Sequence, residues 1–406
     1  MINSHYVPKL ILRKFSLPNK TLCLYNLKTG VFNENVSIEH AYAIEDYYDS
    51  ETEKKLNERI ESQFGNFLAK YILKEDEKIV LRPDKLKLIK KFLLVSLMRV
   101  YDEAFMEKER SFYPTLKENA KRYCSDNNIE YCEEAFESPF EEKQIEGETT
   151  YDYWLRTLNV ILDTDGTPEQ IKKHPKKTYP AHRWASIVKA AYLGFWDAPN
   201  DRDEFVVTDI GMTSENEKGW NEITKHNHKK MDWLGTQIDN VKTQEEMKEI
   251  LGTMQAVSYF HENFQMFPIS SRRMIVLISP FFKFRYMSKK KGVSVPPLDY
   301  ITHLNNEELF SPNGNFYKNA PRGYNNIDYH EDDRYIYDVK TLSNNEIRYC
   351  NALFMDRIDE YLGFSSLEKA VGSIIKYKKL NSGPFIRPRK DYTPLYSIIK
   401  KGIWEI

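Results

Sequence analysis

His5-Tyr6-Val7-Pro8-Lys9-Leu10-Ile11-Leu12-Arg13-Lys14-Phe15 is the stretch on which the reading of the whole chain turns. It is apolar enough to be buried, yet it carries a histidine and an arginine at its two ends. Pro8 fixes the backbone between them, and a proline in the first turn of a helix costs no hydrogen bond. The pattern predicts a short helix from Pro8 to Phe15 with Leu10, Ile11 and Leu12 in the core and His5 just ahead of it. His5 and Arg13 are then expected to be largely buried and paired, which places a polar centre inside an apolar body.

Outward from this segment, Thr21 to Asn26 alternates around Leu22, Leu24 and Leu27, and Lys28-Thr29-Gly30 turns into a second strand at Val31-Phe32, a hairpin pattern. Ser50-Glu51-Thr52-Glu53 reads as a capping box. Ile60, Phe64, Phe67 and Tyr71 follow it at helical spacing, so that face is expected in the core. A second long helix starts at Pro83 and runs through Leu97 towards and beyond Met106, with Lys85, Lys87, Lys90 and Lys91 on an expected solvated face. Residues 133–148 crowd seven glutamates into an expected acidic surface insertion or lid. Tyr151 to Leu162 and Trp184 to Ala191 read as helices, Thr167-Pro168-Glu169 as a helix start, and Phe205 to Asp209 and Met274 to Ile278 as buried strands. Thr243 with Glu246 opens a helix to Phe260. Residues 304–334 read as a long loop, and helices follow through Ile347–Ile358 and from Ser365 to about Tyr377. The fold class expected is α+β: helix-rich, with an N-terminal hairpin and a small central sheet packed against long helices. Two parts are expected, 1–180 and 181–406, or one composite domain.

The totals narrow the class of function. The chain has 406 residues, 59 lysines plus arginines against 60 aspartates plus glutamates, and is rich in tyrosine (27) and phenylalanine (22). A net charge of -1 excludes a globally basic nucleic-acid coat but leaves room for a local basic groove. The four cysteines, Cys23, Cys124, Cys132 and Cys350, form no Cys-x-x-Cys, so reduced thiols in a cytoplasmic setting are expected rather than a zinc ribbon or disulfide framework. No apolar run approaches the roughly 20 residues of a membrane span, and the first residues lack signal-peptide character. No membrane partner is expected.

His5-Tyr6-Val7-Pro8 followed by Leu12-Arg13-x-Phe15 resembles the opening of the uncharacterised His-Tyr-Val-Pro family, domain of unknown function 4238. Val206-Val207-Thr208-Asp209-Ile210 is similar to the family's mid-chain strand ending in Thr-Ser-Asp-Asn-Pro, although the serine, asparagine and proline are absent. Pro268-Ile269-Ser270-Ser271 echoes its Pro-Leu-Ser-Pro segment, and Asn351 its late helical asparagine. The family's first long helix often carries Gln three residues before an arginine; here that arginine is Arg99 and Ser96 stands in the Gln position. The resemblance implies architecture and candidate positions, not a reaction.

Among these positions, His5 has the chemistry of a base, an acid or a metal ligand, and equally of a residue that pins the chain start to backbone. Arg13 offers a planar fork to phosphate or carboxylate, Glu61 being one structural carboxylate it could meet. Asp209 at a strand end suits a divalent metal or a nucleophile's orientation, or a satisfied turn. Glu215 to Lys218 has the wrong spacing for a restriction-type nuclease strand. His226-Asn227-His228 is a surface stretch, and Ser270 lacks the nucleophile elbow. P-loop and Rossmann glycine patterns are absent. Lys376 to Lys379 and Phe385 to Tyr392 interleave cations and rings, a combination that suits phosphates and bases.

Two readings follow. One is a metal-dependent nuclease or related phosphodiesterase, in the setting of a bacterial defence effector. His5, Asp209 and Glu61 would hold metal or the attacking water, with His5 and Asp209 as ligands of Mg²⁺ or Mn²⁺. Arg13, Arg99, Arg272, Lys378 and Arg389 would hold substrate. The other is a non-catalytic recognition or interaction protein that binds nucleic acid, a foreign protein or a second copy of the chain.

Overall fold

Thr21–Asn26 and Phe32–Ser37 pair antiparallel, and the turn between them contains Gly30 at a φ of +71°. That conformation favours glycine and closes the expected hairpin. Tyr361–Phe364 adds to the free edge of Thr21–Asn26, and Val207–Thr208 adds beyond it, which completes a four-stranded antiparallel sheet. The structure, a computed structural model, describes residues 3–74, 77–126, 142–143, 145–199, 202–211, 213–214, 264–278, 308–310, 316–318, 333–380 and 389–401.

A second sheet of eight strands is centred on Arg334–Thr341, Tyr192–Asp197 and Arg273–Ile278. The first two of these run parallel and the last two antiparallel. Lys78–Leu81, from the first fifth of the chain, pairs with Arg334–Thr341. Asn3–His5 forms a separate two-stranded ribbon with Ala43–Glu45. Helices pack against these sheets, as expected for the α+β class. Tyr192–Asp197 is a strand buried from Tyr192 to Trp196. Glu308–Phe310 and Phe316–Lys318 are paired strands within what reads as loop. The helix expected to Phe260, residues 133–141, Glu215 to Lys218, His226 to His228, most of 304–334 and the segment 381–388 lie outside the described residues.

Three elements differ from their sequence patterns for identifiable reasons. The helix beginning at Ser50 is capped by Asp49, whose carboxylate accepts the Thr52 N–H at 2.7 Å, so the cap lies one residue before the Ser-x-x-Glu match. The helix from Pro83 ends at Met98 and does not reach Met106. Its last carbonyls are taken by side chains: Trp154 Nε1 donates to Met98 O at 2.7 Å and the Tyr48 hydroxyl to Arg99 O at 2.6 Å. Asp102 then caps the next helix, Glu103–Asp126. The lysine face is only partly solvated. Lys90 donates to the carbonyls of Lys189 and Ala191, and Lys91 to those of Leu162 and Thr164. Each thus satisfies the orphan carbonyls at another helix's end, where the dipole favours a cation.

The acidic stretch also turns inward where it is described. Glu142 and Glu148 both pair with Arg156, at 3.2 Å and 2.6 Å, and Glu142 accepts from the Tyr153 hydroxyl and the Tyr179 N–H. These two glutamates are an internal clamp, not a lid surface.

His182, on the helix Tyr179–Ala190, is pushed down to about 4 by burial and by the nearby Lys172. It is neutral in the fold and takes a proton on unfolding below its ordinary value near 6.5. Its contribution is therefore present above about pH 6.5 and is lost as pH falls towards 4. Glu53, Glu142, Glu204 and Asp209 are shifted upwards and act in the opposite sense, so the wild-type profile alone mixes both. The difference between wild type and His182→Gln isolates the histidine. In urea unfolding, wild type is expected to lose about 2–3 kcal/mol relative to the variant between pH 7 and pH 4. A pH-independent difference contradicts the assignment.

Candidate functional site

Asn3–His5 is drawn into the body by backbone pairing, and the imidazole of His5 follows it into a buried position. His5 Nε2 lies 3.1 Å from Ile38 O and Nδ1 lies 3.3 Å from Asn3 O. Burial lowers its pKa, so the neutral ring donates to backbone and pins the start of the chain. The His5 carbonyl in turn receives two N–H groups of Arg99, Nε at 2.9 Å and Nη2 at 2.6 Å. The third corner of that guanidinium, Nη1, meets Glu61 Oε1 at 2.5 Å. Arg99 is buried; the Tyr48 ring lies 5.8 Å away and Glu53 is close enough to act on it. Glu53 Oε2 is buried without a hydrogen-bond partner, and burial raises the Glu53 pKa.

Arg13 does not join this network. The helix after Pro8 is only Lys9–Leu12, and Arg13 stands at its end, exposed. The expected burial and pairing of Arg13 is corrected: Leu12 and Phe15 take the core positions, and Glu61 is satisfied by Arg99.

Asp209 sits in the turn after Val207–Thr208 and is buried. Its carboxylate accepts three consecutive amides: Asp359 N–H at 3.1 Å, Glu360 N–H, and Tyr361 N–H at 2.8 Å. Burial raises its pKa and the three amides pull it back without cancelling that effect. The opening segment reaches this region through Tyr42. Tyr42 has a φ of +55°, its carbonyl accepts Tyr6 N–H, and its hydroxyl donates to Val207 O at 2.9 Å. Gly363 makes that passage: a Cβ there would lie 2.6 Å from the Tyr42 hydroxyl oxygen.

His5 and Asp209 therefore serve different backbone segments and do not converge on one centre. Among the described residues, no three His, Cys, Asp or Glu side chains gather as a metal site. The pair does not fit a divalent cation, because His5 faces carbonyls and Asp209 is filled by amides. Arg272 donates to Pro199 O and holds a loop. The neighbouring Arg273, which the sequence does not single out, forks onto Asp197 and reaches Ile72 O and Lys74 O. Arg389 donates to Leu380 O and Tyr377 O at the end of Leu367–Lys379, with its guanidinium 3.9 Å from the Tyr377 ring centre. Lys378 is exposed and lies over Tyr396. Asn351 bridges Val206 N–H, Glu204 O and the Ser373 hydroxyl, all buried.

What the structure does bring together is a cleft of about 410 Å³ between the opening helix and the helical rod 50–72. Lys9, Leu10, Arg13 and Lys14 form one wall; Asn57, Glu61, Ser62, Gly65, Asn66 and Leu68 form the other. The rod contains two π turns, Asn57–Glu61 and Leu68–Ile72, and cleft residues belong to both. Such turns open the helical ladder and recur at functional sites. The charge balance is uneven. Lys9 pairs with Glu39 and Glu61 with Arg99, whereas Arg13 and Lys14 have no carboxylate at ion-pair distance among the described residues. Arg13 and Lys14 thus stand in the cleft wall without a direct ion pair, with Glu39 the carboxylate that feels the charge of Arg13. The signal for this lies in Lys9, Arg13 and Lys14 at i, i+4 and i+5 after Pro8, together with the asparagines 57 and 66 on the facing rod.

The family model described as Protein of unknown function (DUF4238) matches residues 3–361. The chain belongs to that family. No curated protein and no solved structure matches it.

Proposed function

We propose that this protein is a recognition protein that binds a phosphate-bearing ligand, a nucleic-acid strand, in the cleft beside its opening segment. The observation that carries this is the pair of exposed cations, Arg13 and Lys14, neither in a direct ion pair among the described residues, in a cleft whose other charged groups, Lys9 and Glu61, are paired with Glu39 and Arg99. The volume is that of a small-ligand site, which typically spans roughly 300–1,000 Å³. Arginine matches phosphate with a planar fork, and Asn57, Asn66 and Ser62 supply donors and acceptors beside it. Arg99 is not available to the ligand, since His5 O and Glu61 use its fork. Its task is to hold the floor on which the cleft stands.

The test is binding of a labelled oligonucleotide by the Arg13→Glu/Lys14→Glu double variant. Both side chains are exposed, so the fold is expected to survive. Binding is expected to fall by at least about tenfold, because each charge reversal exchanges an attraction for a repulsion. Unchanged affinity rejects the cleft as the phosphate site.

A second reading, phosphodiester hydrolysis with Mg²⁺ or Mn²⁺, is favoured by one feature: Glu61 lines the cleft and engages Arg99 through Oε1 only. In this reading its other oxygen would orient the attacking water. Strand cleavage by wild type that disappears in Glu61→Gln supports this reading, and absence of cleavage with either metal removes it.

A further inference from the structure

Ile60, Phe64, Phe67 and Tyr71 share one periodic face in the sequence, but only the first three are buried; Tyr71 is 39% exposed. The cause is the second π turn. Leu68–Ile72 shifts the phase of the helix, so Leu68 and Ile72 take the core positions and Tyr71 swings outwards. The exposed ring follows Leu68, a cleft residue, by three positions, which is about 4–5 Å of helix rise. Phe67 stacks behind the ring, with centroids 5.4 Å apart and planes 26° apart, and so fixes its orientation. Lys70, exposed, lies 5.2 Å from the ring centre. The Tyr71 hydroxyl makes no hydrogen bond among the described residues, so the ring is not held in place by its polar end.

We propose that the ligand of the cleft is single-stranded nucleic acid and that Tyr71 stacks on one of its bases, a reading that rests on Arg13 and Lys14 as the phosphate contacts. A single strand can turn a base out onto an aromatic ring, whereas in a duplex the base faces are covered by their neighbours. Lys70 then moves from the ring to an adjacent phosphate. In this arrangement Arg13 and Lys14 contact the strand backbone and Tyr71 offers a stacking face that accepts any base, so a preference for single strands is expected before a preference for sequence.

The experiment measures anisotropy with a labelled strand of about twelve nucleotides, within the range single-strand binders cover. Its arms are the DNA strand, the RNA strand, the same DNA carrying abasic sites, and the duplex. The proteins are wild type, Tyr71→Phe, Tyr71→Ala and the Arg13→Glu/Lys14→Glu variant. Tyr71→Ala is expected to weaken single-strand binding by about tenfold or more, and Tyr71→Phe to restore most of it. The abasic strand is expected to bind wild type as weakly as the normal strand binds Tyr71→Ala, with no further loss when both changes are combined. Equal binding of normal and abasic strands, or of strand and duplex, overturns the stacking proposal. If that binding still depends on Arg13 and Lys14, the cleft reading stands without it. If no nucleic acid binds wild type, both fall. Retained circular dichroism in Tyr71→Ala secures the comparison.

Discussion

Arg99→Met is expected to lower unfolding stability by about 3–5 kcal/mol, the scale for removing one partner of a buried ion pair. The guanidinium is buried and spends every edge: two donors on His5 O and one on Glu61. Removing it leaves the His5 carbonyl without its donors and two neighbouring carboxylates, Glu53 and Glu61, without their cation. Glu53 already has one buried oxygen without a partner and keeps only Ser4 as a side-chain hydrogen-bond partner among the described residues. Arg99→Lys keeps the charge but not the fork, and recovers only part of the loss. Arg13→Ala, a change of the same residue type at an exposed site, is expected to stay within about 0.5 kcal/mol of wild type. Urea unfolding of the three variants measures this, and equal losses for Arg99→Met and Arg13→Ala contradict the assignment of Arg99 as the anchor.

Asp209→Ala is expected to cost about 3 kcal/mol, because a buried donor deprived of its acceptor costs about 1–3 kcal/mol and three amides lose theirs here. Release of a desolvated carboxylate offsets part of that sum. Asp209→Asn separates the terms. An asparagine oxygen in the place of Oδ2 keeps the Glu360 and Tyr361 amides, while its NH₂ faces the Asp359 N–H. About 1–2 kcal/mol is then lost. Hydrogen exchange should localise the effect to 359–361. Activity or binding that vanishes in Asp209→Asn with stability intact would instead return Asp209 to a functional role.

Much of the architecture is visible in the residues, and the differences share a cause. The hairpin, the core helix with Trp154, Leu158 and Ile161, and the strand Arg273–Ile278 with its buried Met274 to Leu277 follow from short-range periodicity, which is a local property. What periodicity cannot carry is the partner across the chain. Arg13 and Arg99 have the same chemistry, and only the third dimension gives Arg99 the His5 carbonyl and leaves Arg13 at the surface. Lys90 and Lys91 read as a solvated face because the helix ends they cap lie about 70 to 100 residues away. Tyr71 reads as core because a π turn changes the helical phase without any mark in composition. The opening segment was legible as a special place. The Arg99 helix and, through Tyr42, the strand before Asp209 are its neighbours, but the acid–base and metal roles given to His5 and Asp209 require open coordination, whereas the His5 ring faces backbone carbonyls and the Asp209 oxygens accept backbone amides.

The cleft's location is tested most directly by photocrosslinking a strand that carries 4-thiouridine and identifying the peptides attached to it. Crosslinks are predicted in residues 9–14 of the opening helix and in 57–71 of the facing rod. Crosslinks confined to other segments, the basic stretch 376–390 among them, would contradict the assignment of the cleft as the binding site.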